Sequence, residues 1–404
     1  MTDDAIDIAE QFEKALNIPK QTWLLSAGAS FQSNVPLMYP LTRRVLNVAR
    51  SERFIGNAAI LQAIDDIVAD IDEGAHIEVF LTHLADLISM CSRARDNTTQ
   101  LGGQKVSIAT LGELHLGILE IISKTVRWGY SEEQKDGEDV IREEIIGDVA
   151  NPKVTIDAHL KFTDAVFSRS QAGMDALRGP VEFFTTNYDT LIEDALSLRG
   201  ISVNDGFTGG GVAYWDGYNH PSGEGAKAII IKLHGSIDWI SPKEDASKLL
   251  RVRHSDLYPT PQNQVVIYPQ STKYVNTQLD PFAQLFSRFR SVLSDSSERV
   301  LLVCGYSFGD EHINQDIEVA MSNPDSQLTL IAFSYEGDAL PETLRHWMGL
   351  PWGNRIYVAS NKGLYNGSRG PHWGTPNDRS WWTFEGVTNL LANGLPKDIQ
   401  GAFA

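Results

Sequence analysis

Residues 305–309, Gly305-Tyr306-Ser307-Phe308-Gly309, spell G-x-S-x-G directly after the apolar run Arg299–Cys304. That spacing allows two chemistries. In a nucleophile elbow, Ser307 would ride a strained strand-to-helix turn and attack an acyl carbon. In a nucleotide pocket, the same glycines would let the backbone approach a ligand, with Ser307 as part of the lining. The first chemistry needs an acid and then a histidine further along, and Asp338 with His346 or His372 would supply them. It leaves two other polar loops unexplained, Thr185-Thr-Asn-Tyr-Asp189 and Lys232-Leu-His-Gly-Ser236. Alone, Asn187 reads as a turn former and His234 as a satisfied histidine at a strand end. Asp310, Glu311 and His312 are adjacent on a new helix, do not converge on one ion, and suit a helix N-terminus.

These loops share a position. Ser26-Ala-Gly-Ala-Ser30 follows Trp23-Leu24-Leu25, the Asn187 loop follows Val181–Phe184, the His234 loop follows "AIIIK", and the Gly305 loop follows "RVLLVC". Unbroken apolar strands separated by helical periods indicate a parallel sheet covered on both faces. In such a sheet ligands bind beyond the carboxyl ends of the strands, where all four loops would gather. The expected fold class is therefore α/β, a Rossmann-like parallel sheet with helices on both faces. A large helical insertion is expected at 51–151, where "NAAILQAIDDIVADI", "IEVFLTHLADLISM" and "LGELHLGILEIISKTV" repeat apolar residues at three- and four-residue spacing. "SRARDNTTQLGGQK" reads as a polar linker inside it, and "QVVIYPQSTKY" as a further short strand. The α/β domain is expected over 1–350, followed by an irregular, aromatic segment over 351–404.

Composition narrows the classes. The net charge of −18, from 34 basic and 52 acidic side chains, argues against a generic nucleic-acid binder, which needs a basic face. There is no run of eighteen apolar residues, and the opening "MTDDAIDIAEQFEKAL" is acidic and helical rather than a secretory signal. Two cysteines, Cys91 and Cys304, make neither a disulfide framework nor a zinc cluster. A cytoplasmic protein with no membrane contact and no bound metal is expected.

Together, "SAGAS…SNVP", "TTNYD", "KLHGSIDW" and "GYSFGD" resemble the sirtuin-like NAD-binding domain, and in particular its zinc-free bacterial branch associated with anti-phage defence. The resemblance implies that Ala27, Gly28, Ala29 and Ser30 lie against the NAD pyrophosphate. It implies that Asn187 holds the nicotinamide ribose and the attacking water, and that Asp189 contacts the nicotinamide carboxamide. His234 would be the general base, and Gly305, Tyr306 and Ser307 would line the adenosine side. The chemistry is coherent on its own terms: an uncharged amide orients water without forming an ion pair with a cationic ribose, and histidine accepts a proton near neutral pH.

Three departures matter. Ser26 stands where the family places a glycine, and the cysteine-built zinc module of the deacylating members is absent. "VIYPQSTKY" is also unlike their peptide-binding loop. Water is therefore the expected acceptor, giving an NAD hydrolase with NAD as substrate and no zinc. By the same resemblance the chain is expected to be a homo-oligomer, gated by a partner such as a HerA-type hexameric ATPase. A nucleotide sensor without turnover is the third class, though simple binding needs neither a water holder nor a base.

Overall fold

The computed structural model describes residues 3–133, 143–170, 179–218, 225–242, 248–253, 264–267, 281–375 and 378–400. At its centre lies a nine-stranded sheet. Along the chain its strands are β1 (Gln21–Leu25), β2 (Val181–Thr185), β3 (Val203–Asn204), β4 (Ala228–Lys232), β5 (Arg299–Cys304), β6 (Leu328–Ser334), β7 (Ile356–Ser360), β8 (Leu364–Asn366) and β9 (Arg369–His372). Their spatial order is β9-β8-β7-β6-β5-β1-β2-β4-β3. From β3 to β7 every pairing is parallel; β8 and β9 join antiparallel at one edge. The strand order reverses between β1 and β5, which makes that junction the topological switch point.

The apolar strands are buried on both faces, and the residues alternate between two cores. Trp23, Leu25, Phe183, Val300, Leu302 and Ile331 point into one. Leu24, Phe184, Leu301, Val303 and Leu330 point into the other. Helices Asp3–Leu16, Asp157–Ser170 and Phe384–Asn393 cover the first face through Phe12, Phe162 and Val387. Helices Phe282–Leu293, Glu311–Ser322 and Glu342–Met348 cover the second through Phe286, Ile317 and Trp347. This is the Rossmann-like α/β arrangement expected from the sequence.

The described residues within 351–404 correct the expectation of an irregular segment. "IYVAS" becomes the buried parallel strand β7, β8 and β9 extend the sheet, and Thr383 caps helix Phe384–Asn393 by accepting from the Gly386 N–H (3.0 Å). Two parallel strands, β6 and β7, therefore follow the Gly305 loop. A second, antiparallel sheet was also not anticipated. It orders Gln264–Ile267, Gly235–Ser241, Leu250–Val252, Val212–Trp215 and Phe207–Gly209. Gln264–Ile267, expected as a strand, belongs here rather than to the parallel sheet.

Between 51 and 151, helices Ala58–Asp70, Ile77–Arg93 and Ile108–Trp128 share a third core with helix Met38–Val48. The expected linker is instead a hairpin, Thr98–Leu101 paired with Gln104–Ser107. Gly102 and Gly103, with φ of +55° and +78°, supply the backbone that a two-residue turn requires.

Candidate active site

Strand register brings the four loops to one level. Leu25 of β1 pairs with Thr185 of β2 and with Cys304 of β5, and Thr185 pairs with Lys232 of β4. Two residues beyond these, four adjacent strands present Ala27, Asn187, His234 and Tyr306. The loops meet at the carboxyl edge of the sheet, across the switch point.

The first and last loops touch through their glycines. The Gly28 N–H donates to the Gly305 carbonyl (3.0 Å), and a Cβ on Gly28 would meet the Gly305 Cα at 2.7 Å. Gly305 has φ +71°, and a Cβ there would meet the Ala29 nitrogen at 2.3 Å. Only glycine fits either position. Ala29 donates its N–H to the Ser26 carbonyl (2.8 Å) and, like Ser30, is buried. The N–H groups of Gly28 and Ala29 are thus engaged by the Gly305 and Ser26 carbonyls. A phosphate arriving there would gain the clearance of small residues rather than these two donors.

Asn187 bridges to the first loop. Its Nδ2 donates to the Ser26 carbonyl (3.1 Å) and to Ser30 Oγ (2.8 Å). A carbonyl only accepts, so the amide orientation is fixed and Oδ1 is left as the group that can accept a hydrogen bond from water. Its own N–H donates to Thr185 Oγ1 (3.0 Å). Asp189 is 6% exposed and is held from both sides. One carboxylate oxygen accepts from Ser30 Oγ (2.7 Å), the other from the Leu191 N–H (3.0 Å) at the start of helix Leu191–Leu198. The structure places Asp189 as the tie between the first loop and that helix.

His234 lies at the floor, 2% exposed, with Nε2 3.2 Å from the Asp310 carboxylate. The neighbouring Leu233 N–H donates to the Thr185 carbonyl (2.8 Å), joining the His234 and Asn187 loops. Tyr306 faces inward: its hydroxyl accepts from the Asp310 N–H (3.2 Å) and lies 3.0 Å from both the Asp310 carbonyl and Asn314 Oδ1. Burial and the nearby Asp310 carboxylate hold its phenol protonated at all ordinary pH. Ser307 is exposed. The left-handed backbone falls on Gly305 and Phe308 (φ +60°), not on Ser307, and the next helix begins only at Glu311. His372 is paired with Asp4 (3.3 Å), and His346 stands on the exposed side of its helix.

Sequence reasoning missed several partners. Lys232 donates to the Asp189 carbonyl and pairs with Glu193 (3.1 Å), both buried. Burial raises the Glu193 carboxyl against the pull of Lys232. Asp238 accepts from Ser236 Oγ (2.5 Å) and pairs with Arg253 (3.0 Å). Tyr188, between Asn187 and Asp189, donates its hydroxyl to Glu78 of helix Ile77–Arg93. His159 reaches Ser33 (3.1 Å) below the first loop. "KLHGSID" carried a signal for Lys232 and Asp238; Glu78 and His159 carried none.

Two cavities, about 630 Å³ beside Tyr218 and Arg288 and about 310 Å³ beside Leu46 and Phe80, lie elsewhere and are not lined by the four loops. Among the described residues no group of three or more His, Cys, Asp and Glu could hold a metal ion, and no helix is long and apolar enough to cross a membrane. Cys304 ends β5 with its thiol pushed up to about 12 by burial, a core residue rather than a nucleophile.

No protein of curated function matches the chain. Residues 181–349 match the family model of the SIR2-like domain. The match runs from β2 to the turn after helix Glu342–Met348, so it takes in the Asn187, His234 and Gly305 loops and leaves the Ser26–Ser30 loop outside. The part of this chain that presents Asn187, His234 and Tyr306 at one sheet edge is thus similar to SIR2-like domains, which bind NAD.

Proposed function

We propose that the protein hydrolyses NAD+ to nicotinamide and ADP-ribose. The observation that carries this reading is the common register of four strands, which sets Asn187 and His234 two residues beyond paired positions on adjacent strands. In the reaction the bond between ribose C1′ and the nicotinamide nitrogen breaks, and its electron pair neutralises the pyridinium ring. Water adds to C1′ and loses a proton. Asn187 Oδ1 would hold that water without placing a second charge beside the cationic ribose. His234 would receive the proton, help typically worth about 10²–10⁴-fold in rate. Ala27 to Ser30 and Gly305 to Ser307 would line the dinucleotide, with Ser307 as pocket wall.

Because His234 is 2% exposed, the loops must part before substrate reaches its ring. That burial supports a gated enzyme, as a cytoplasmic NAD hydrolase would need to be to spare its own cell. Homo-oligomerisation, or assembly with a HerA-type ATPase in anti-phage defence, would supply the gate. The same burial favours, as a second reading, a nucleotide sensor without turnover. A serine hydrolase is poorly supported, since the strained backbone avoids Ser307.

Nicotinamide release from NAD+, followed with and without a candidate partner, tests the proposal. Wild-type release should fall at least about 10²-fold in Asn187→Ala and in His234→Ala. Ser307→Ala should retain turnover. Tight NAD binding with no release under any condition would transfer the site to the sensor reading.

A further inference from the structure

The G-x-S-x-G turn draws attention to Ser307, yet its geometry converges three residues later. Asp310 is fixed at every polar atom the structure describes. Its N–H donates to the Tyr306 hydroxyl (3.2 Å), and its carbonyl lies 3.0 Å from the same oxygen. One carboxylate oxygen accepts from the N–H groups of His312 (3.1 Å) and Ile313 (3.5 Å), capping helix Glu311–Ser322. The other lies 3.2 Å from His234 Nε2, with both side chains only 2–3% exposed. Asn314 closes the turn from the far side by donating to the Phe308 carbonyl (2.8 Å). A helix cap needs only one oxygen, and a Ser or Asn would cap as well as Asp. Capping alone therefore does not explain a carboxylate aimed into the sheet edge.

We propose that Asp310 is a positioning residue that orients His234: it fixes which imidazole nitrogen carries the proton and stabilises the imidazolium that forms when His234 accepts one. This rests on the hydrolase reading of His234. A base held by a third group is the arrangement expected of positioned acid–base catalysis. A neutral His234 donates from Nε2 to Asp310, so its lone pair lies on Nδ1. After proton transfer from water, the charged ring faces a carboxylate that cannot move away, because the helix cap holds the carboxylate and Tyr306 holds the Asp310 backbone. On this view the "GYSFGD" turn serves through its last residue.

Tyr188 and Asp316 lie within electrostatic reach of the Asp310 carboxylate, and His312 faces Asp316. Glu78 stands behind Tyr188, and Lys232 on the His234 loop is paired with Glu193.

Asp310→Asn is the test, because asparagine keeps the cap and removes the charge. Glu311→Gln, exposed on the next residue, controls for loss of any negative charge at the helix start. In the full-length protein, Asp310→Asn should lower kcat for nicotinamide release roughly 10²-fold, with KM little changed. Without the carboxylate the imidazolium is less favoured, so the acidic limb of the pH–rate profile should move to lower pH. The His234 signal in a histidine-labelled NMR titration, assigned by its loss in His234→Gln, should shift the same way. Neither change should occur in Glu311→Gln. An unmoved His234 titration in Asp310→Asn, or a shifted one with unchanged kcat, overturns the proposal. If the wild type releases no nicotinamide, the hydrolase reading fails, while the NMR titration still decides whether Asp310 governs the His234 proton.

Discussion

At the scale of single residues, the site rests on buried groups whose charge the surroundings decide. His159 is the clearest case. Burial pushes its imidazole down to about 4, and the Asp189 carboxylate opposes this only in part. In the unfolded chain the same ring titrates near about 6.5. Between those values the unfolded chain binds a proton that the folded chain does not. Stability is therefore full above about pH 6.5 and falls as the pH drops toward 4, by a ceiling on the order of ~3 kcal/mol. The carboxylates Asp96 and Asp295, held low by their hydrogen-bonding partners, titrate below that window. Thermal unfolding across pH 4–7 should show a steeper loss in the wild type than in His159→Gln; equal slopes would mean that His159 is not buried neutral. Asn187 and His234 were legible in the sequence because their residue types recur in characteristic loops after strands. Asp310 was legible only as a helix-start residue. Its bond to His234 joins two loops 76 positions apart, and local pattern carries no information across that gap.

At the scale of elements, alternation of apolar runs with helical periods was enough to give the parallel sheet, since each strand buries both faces and leaves an unbroken signature. The antiparallel sheet was not legible. Its strands, such as Leu250–Val252 and Phe207–Gly209, are three residues long, too short for period to carry a signal. β7 was hidden for a related reason: "IYVAS" sits between turn-rich stretches that read as loop. The junction of β1 and β5 makes the strongest elemental prediction. Gly305→Ala forces a side chain into left-handed backbone, costing about 1–2 kcal/mol, and drives its Cβ against the Ala29 nitrogen, which cannot rotate aside. The variant should melt lower and lose nicotinamide release together. Gly103→Ala, with φ +78° but open space around it, carries the backbone cost without the clash. Its smaller loss of stability, with release intact, would separate strain from collision; equal effects of the two would refute the close approach.

At the scale of the whole molecule, the helices of 51–151 are more than an appendage. Their core includes Tyr188 and Leu191 from the segment after β2 and Ile237 beyond the His234 loop. They form a wall of the candidate site. Glu78, 2% exposed, receives the Tyr188 hydroxyl one residue from Asn187. Motion of helix Ile77–Arg93 is thus coupled to the loop that would hold the attacking water, and a partner grasping these helices would have a direct route to it. Tyr188→Phe breaks that coupling without changing the ring's volume. Removing the phenol from a buried carboxylate should cost about 1–3 kcal/mol of stability. Nicotinamide release should fall further than this loss predicts when measured well below the melting temperature, because the Asn187 loop loses its anchor. Glu78→Gln keeps a hydrogen-bonding group opposite Tyr188 and should retain more activity than Tyr188→Phe. If Tyr188→Phe loses stability and keeps full release, the helices support the fold but do not set the Asn187 loop.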